Sequence, residues 1–288
     1  MRFTSEWQTE ASFDFLDVTG RVIARLEGWQ DRYFSVPHRY YQCRLHPQTA
    51  YLSDAWLQAE TQMVVRRIEP FPEHFLDDSW SIWKRVLAHL MLNESERLFW
   101  YNLPEKGTER TDWLIGCIAA KDAVRQWAKQ NFNLELAPID IEVISTITGK
   151  PVVRCPELEA MAGVLPEVAI SHSQGFVVAA IAHSGKSIGI DIKHFDSLRI
   201  EDLMATAFSK SELQRLPQRH QSSITGLWSA KEAVAQALGT GLQGNPTQWL
   251  ITHVSSDGQW TTVNYGGESF VVQLCYGDRE VLAICQHT

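Results

Sequence analysis

Asp191 and Glu232 are the two residues whose type and setting most directly suggest chemistry. Asp191 lies in SIGIDIK (187–193), where a period of two puts Ile188, Ile190 and Ile192 on one face of a strand. Gly189, Asp191 and Lys193 fall on the other face. Alone, Asp191 reads as a solvated residue on the polar face of a half-buried strand. A glycine two residues before it permits close approach of something bulky. Glu232 sits on a helix predicted over 224–238, on one side with Trp228, Ala235 and Gln236, and with Lys231 adjacent. A lone helical glutamate is a solvated residue. Two hard oxygen ligands meeting from a strand and a helix suit Mg²⁺, which keeps waters and binds a substrate's phosphates.

Other constellations carry less. Ser171, His172 and Ser173 are consecutive, and neighbours on a strand point to opposite faces, so they form no nucleophile–base pair. His172 reads instead as a structural or ligand-touching residue. The chain has no GxSxG, no HExxH, no Walker-type GxxxxGK[ST] and no GxGxxG after a strand. Gly239-Thr240-Gly241 closes a helix and needs no phosphate to explain it.

The elements that must hold these residues come from an ordinary globular composition: 288 residues, 44% hydrophobic and 21% charged. A chain of this length buries on the order of 75% of its unfolded surface. A net charge of −8 with no basic run argues against nucleic-acid binding. The longest strongly apolar stretch, 176–182, is far short of the roughly 20 residues of a membrane helix. The N-terminus has no apolar signal core. The five cysteines (Cys43, Cys117, Cys155, Cys275, Cys285) are scattered and form no CxxC, as in a reducing cytoplasm.

Residues 1–60 read as short β segments broken by turns, a β-rich extension or linker. Apolar spacing predicts helices over 79–92 and 113–132, with a capping box NESE (93–96) opening a short helix between them. A strand is expected over 139–147, turned by Gly149-Lys150-Pro151. Strands follow at 176–182 and 187–192, then a capping box SKSE (209–212), the helix over 224–238, and four strands near 248–254, 259–265, 269–275 and 280–285.

One internal echo organises this order. GCIAAKDAV (116–124) and GLWSAKEAV (226–234) are alike, each preceded by a capping box and followed by a strand. That predicts an α+β fold, a pseudo-two-fold pair of similar halves with a cleft between them, preceded by the N-terminal extension. The expected divisions are 1–60, 61–168 for the first half, and 169–288 for the second half with the metal site.

In order, TGKPVV (148–153), ISHSQGFVVAAIA (170–182), SIGIDI (187–192), FSKSEL (208–213) and LWSAKEAVAQALGTGL (227–242) resemble the 4′-phosphopantetheinyl transferases of the surfactin-synthetase-activating type. The stretch GRVIARLEGWQDRYFSVP (20–37) is similar to the lead-in of transferase domains fused at the C-terminus of enediyne-type iterative polyketide synthases. The resemblance implies Mg²⁺-dependent transfer of the phosphopantetheine arm of coenzyme A to a serine of an apo acyl carrier protein, with release of adenosine 3′,5′-bisphosphate. It also implies a pseudo-dimeric monomer. By position, Asp191 and Glu232 fall on the metal ligands, and Glu232 is implied as the base. Lys150, Pro151, Ser171 and His172 fall in blocks that contact coenzyme A, and Lys231 beside the pyrophosphate. Three positions depart from the pattern: Lys193 replaces a metal-side acid, Gln236 a lysine and Cys117 an arginine. Lys193 is expected either to yield its place to a water or to touch the pyrophosphate itself. Arg199, Lys210, Arg215 and Arg219 are the candidate docking cations for an acidic carrier. The competing expectation is a non-catalytic module that binds a carrier protein or braces a synthase.

Overall fold

The isoleucine alternation of 187–192 forms a buried strand, with Ile188, Ile190 and Ile192 each at most 1% exposed. The structure is a computed structural model that describes residues 2–5, 8–32, 37–56, 63–72, 75–77, 82–146, 149–182, 185–197, 199–214 and 220–287. Arg215 and Arg219 lie outside the described residues.

Three strands, β1 (Arg2–Ser5), β2 (Gln8–Leu16) and β3 (Val22–Arg32), form an antiparallel sheet of their own. A helix, α1 (His38–Leu45), follows where only β segments were expected; it buries Tyr40 and Cys43. The first layered unit contains β4 (Asp54–Ala55), β5 (Val64–Ile68), α2 (Trp83–Met91), α3 (Glu94–Asn102) and α4 (Glu109–Phe132). It continues through β6 (Glu142–Ser145), β7 (Pro151–Arg154), α5 (Pro156–Ala162), β8 (Val168–Ser173) and β9 (Phe176–Ile181). The second unit contains β10 (Ser187–His194), α6 (Ile200–Thr206), α7 (Lys210–Gln214), α8 (Gln221–Ala237), β11 (Leu250–Val254), β12 (Trp260–Tyr265), β13 (Glu268–Tyr276) and β14 (Glu280–His287).

Two sheets carry the structure, in the orders β4-β5-β9-β8 and β10-β14-β13-β12-β11. Helix α4 packs its apolar residues with Val64, Val168, Val177 and Ile181 of the first sheet. Helix α8 does the same with Val263, Val272, Val281 and Ala283 of the second. A third cluster joins the sheets, bringing Val65, Ala169, Val178 and Ala180 to the three isoleucines of β10 and to Leu282 and Ile284.

Strand pairs cross both expected divisions. The β4–β5 hairpin straddles residue 60, and β5 pairs with β9 (Val64 opposite Ile181). The β8–β9 hairpin therefore shares a sheet with β4 and β5 of the first unit, across the 168/169 boundary. Pairing across more than a hundred residues of chain leaves no local sequence mark.

The bulky neighbour permitted by Gly189 is helix α8. A Cβ at Gly189 would lie 1.9 Å from the Ala233 carbonyl oxygen and 2.4 Å from the Ala237 nitrogen. The glycine lets helix backbone sit directly on strand backbone, which holds α8 at a fixed height over β10.

The same hydrogen bonds recur in both units. Asn93 and Glu96 form a reciprocal capping box at the start of α3. Ser209 and Glu212 form another before α8. Glu96 also accepts the Val143 N–H at 2.8 Å, and Glu212 the Ile251 N–H at 2.9 Å. The Lys121 ammonium donates to Glu96, Met91 O and Pro138 O, while Lys231 donates to Glu212, Ala207 O and Pro246 O. Each capping glutamate thus ties a helix start, a following strand and a buried lysine into one knot.

Candidate functional site

Strands β8 and β10 lie side by side but belong to different sheets, and side chains stitch the seam between them. The Ile192 N–H donates to Ser171 Oγ at 3.1 Å and the His194 N–H to Ser173 Oγ at 3.3 Å. Gln236 of α8 accepts the Ile190 N–H at 2.6 Å and donates to the Ile170 carbonyl at 2.8 Å. Replacing Gln236 with alanine strips partners from two backbone groups at this seam. The expected cost is about 2 kcal/mol of stability, read as a lower urea midpoint. A fold insensitive to the change would remove Gln236 from this role.

A cleft of about 500 Å³ opens at the top of the seam. Its walls are Gly149, Lys150 and Pro151 of the β6–β7 turn, Ser171 of β8, Ile190 and Asp191 of β10, Glu232 and Gln236 of α8, and the loop from Gly239 to Gly241. Five of the residues singled out in the sequence, Lys150, Pro151, Ser171, Asp191 and Glu232, meet here from four elements. A larger cavity of about 650 Å³ lies against Thr111, Asp112 and Ile115 of α4 and Gly175 of the β8–β9 turn. It contains neither Asp191 nor Glu232.

Asp191 is 6% exposed. Its Oδ1 accepts the Ser171 hydroxyl at 3.2 Å and the Lys193 ammonium at 3.0 Å. Its Oδ2 is buried without a hydrogen bond of sound geometry, although the Ser229 hydroxyl is near enough to favour the charged form. Burial pushes the Asp191 carboxyl above its ordinary value, against the pull of Lys193. Burial also raises Glu232, the Asp191 charge raises it further, and Lys193 opposes both. The Asp191 charge therefore makes Glu232 harder to ionise.

This pair fits a hard divalent cation. The donors are oxygens, one of them orphaned and buried, and a cation would favour the charged form of both. Among the described residues no group of three or more His, Cys, Asp or Glu is placed to hold a metal. Two protein carboxylates leave positions for waters and substrate oxygens, as Mg²⁺ prefers.

The remaining singled-out residues are placed differently. Lys150 pairs with Glu167 at 2.7 Å at the cleft wall. His172 points to the opposite face of β8 from Ser171. Its ring nitrogen lies 3.0 Å from where a Cβ on Gly116 of α4 would stand. Desolvation lowers the His172 pKa, and nearby Asp112 opposes that shift. Lys193 sits on Asp191 itself. Lys231 is not brought to the cleft: its ammonium is 0% exposed and fully engaged by Glu212 and two carbonyls. Adjacency to Glu232 along the helix put the two on different sides.

Sequence reasoning left Asp122 unremarked, although it is the counterpart of Glu232 in the internal echo. Asp122 is fully buried; its Oδ2 accepts the N–H groups of Leu52 and Ser53 and the Ser53 hydroxyl, and its Oδ1 pairs with Arg125 at 2.9 Å. Glu232 lines the cleft, whereas Asp122 is sealed in the core. The alignment AKDAV against AKEAV was the available signal.

Residues 187–285 match the family model of the 4′-phosphopantetheinyl transferase superfamily. The chain is 30% identical over 141 residues to the L-aminoadipate-semialdehyde dehydrogenase-phosphopantetheinyl transferase of Schizosaccharomyces pombe, covering 41% of this chain and 50% of that protein. It is 41% identical over 69 residues to fatty acid synthase subunit alpha of Penicillium patulum, covering 23% and 4% of the two chains. The corresponding subunit of Candida parapsilosis is 30% identical over 93 residues, covering 31% and 5%. The chain spans half or less of the length of each of these relatives. The matched stretch runs from β10 to β14 and contains both Asp191 and Glu232.

Proposed function

We propose that this chain moves the 4′-phosphopantetheine arm of coenzyme A onto a serine of an apo acyl carrier protein. The observation that carries the reading is the meeting of buried Asp191 and half-buried Glu232, the first charge opposing ionisation of the second, at a cleft within the matched stretch.

Asp191 and Glu232 would hold the divalent cation, with Mg²⁺ the best match to two oxygen donors. When bound, it supplies charge neutralisation to the pyrophosphate oxygens as the phosphorus–oxygen bond breaks. The chain's own residues position and move protons. Lys150 and Ser171 line the wall that receives coenzyme A, with Pro151 shaping the turn beneath it. The carrier serine oxygen forms a bond to the phosphorus of the pantetheine arm. The electrons of the broken bond leave with adenosine 3′,5′-bisphosphate. The Glu232 carboxylate takes the serine proton.

The recurring capping-box knots support reading the two units as a pseudo-two-fold pair, preceded by the β1–β3 extension. Five free cysteines support a reducing, cytoplasmic setting. Among the described residues no helix is long and apolar enough to cross a membrane. Similarity of residues 20–37 to enediyne-synthase lead-ins makes a synthase-borne carrier the proposed acceptor, docked in part through Arg199 and Lys210.

Incubating the protein with coenzyme A, MgCl₂ and an apo carrier protein, then weighing the carrier, tests this. Gain of the phosphopantetheine mass, abolished by chelator, is the expected result. An unmodified carrier would favour the second reading, a non-catalytic carrier-binding module. The observation on that side is the cation that Lys193 places on the metal face.

A further inference from the structure

Lys193 is two residues beyond Asp191 on β10, so both side chains leave the strand on one face. Its ammonium stands 3.0 Å from Asp191 Oδ1. It therefore occupies one side of the carboxylate that the divalent cation needs, and its charge is also felt at Glu232. With both acids ionised, the local formal charge is two negatives offset by one positive. A metal ion arriving alone meets a weakened acid pair and a like charge beside it.

The Lys193 side chain is 24% exposed, and its anchor is a single carboxylate oxygen that Ser171 shares. Lysine is a compact point charge on a flexible stem, suited to trading one oxygen partner for another. A diphosphate in the cleft offers the ammonium new oxygens and adds negative charge to the site. Lys193 can then leave Asp191 Oδ1 to the metal.

Building on the transferase reading, we propose that Lys193 is a tethered cation that excludes the metal from the acid pair until a diphosphate is bound. Metal and diphosphate then bind as one coupled event. Linkage makes the effect reciprocal: the diphosphate raises metal affinity by the same factor by which metal raises diphosphate affinity. The order of loading is diphosphate first.

Mn²⁺ binding to the full chain, followed by the electron paramagnetic resonance signal of the free ion, tests this without turnover. Wild type, Lys193→Met and Lys193→Gln are titrated with no carrier protein present, with and without saturating coenzyme A. Without coenzyme A, wild type is expected to bind Mn²⁺ at least tenfold more weakly than either variant. With coenzyme A the gap should close to less than threefold. Equal Mn²⁺ affinities without coenzyme A overturn the proposal, as does a gap that persists when coenzyme A is saturating. Circular dichroism checks folding, and either variant alone suffices. If wild type modifies a carrier protein yet shows no Lys193-dependent difference, only the tethered-cation inference fails. If the carrier stays unmodified and no variant binds Mn²⁺ with or without coenzyme A, the transferase reading fails and takes this inference with it.

Discussion

Asp191→Ala and Glu232→Ala are each expected to slow arm transfer about a thousandfold, about 4 kcal/mol of transition-state stabilisation, the scale of a lost metal ligand. Neither should unfold the protein. Asp191 Oδ2 has no sound partner, and burial already works against the charge at both positions. Removing either carboxyl relieves that penalty, so the thermal midpoint should stay level or rise. Transfer rates in saturating MgCl₂, with melting curves on the same preparations, check both halves of the expectation. A variant that transfers at the wild-type rate would sink the ligand assignment.

Lys231→Met should behave in the opposite way. The lysine and Glu212 side chains are 0% and 1% exposed. Burial works against the Glu212 charge, yet the hydrogen bonds from the Ile251 N–H, Lys231 and the Ser209 N–H hold its carboxyl below the ordinary range. Deleting the ammonium leaves a buried carboxylate without its counter-charge, at a cost of about 3–5 kcal/mol. Lys121→Met should cost about the same, because Lys121 and Glu96 are equally buried in the matching knot of the first unit. Denaturant titration of both variants measures this. Loss of transfer should track the folded fraction. A Lys231→Met protein of normal stability that no longer transfers the arm would return the lysine to the chemistry.

Much of this was legible because the signals were local. Period-two alternation disclosed β10, and the helices over 113–132 and 224–238 appear as α4 and α8 within a few residues. Lys150, Ser171, Asp191 and Glu232 converge from blocks recognisable one by one. What escaped was settled by distant partners. Strand β5 reads VVRRI, and two adjacent arginines hide a strand. Arg66 is nevertheless buried over Tyr51, and Arg67 lies over Trp56 and Phe176 and pairs with Glu280 at 3.0 Å. Helix α1 follows Pro37 and buries only two residues, too few for a periodic pattern. The capping boxes were visible, but not that each glutamate would also neutralise a lysine from the long helix. A helical wheel shows which residues neighbour Lys231 on its own helix; Glu212 comes from another element.

The sealed state of Asp122 has an evolutionary consequence. Its four acceptor contacts hold the 52–53 segment and Arg125, so selection acts on that acid through the survival of the fold. On the proposed reading, selection at the equivalent position 232 acts through turnover. If the chain arose by duplication, the copies stopped being interchangeable once one acid became structural. No single substitution in the first unit could then open a second active centre without dissolving its own support. On the proposed reading each chain has one site, and a titration with coenzyme A should saturate at one equivalent.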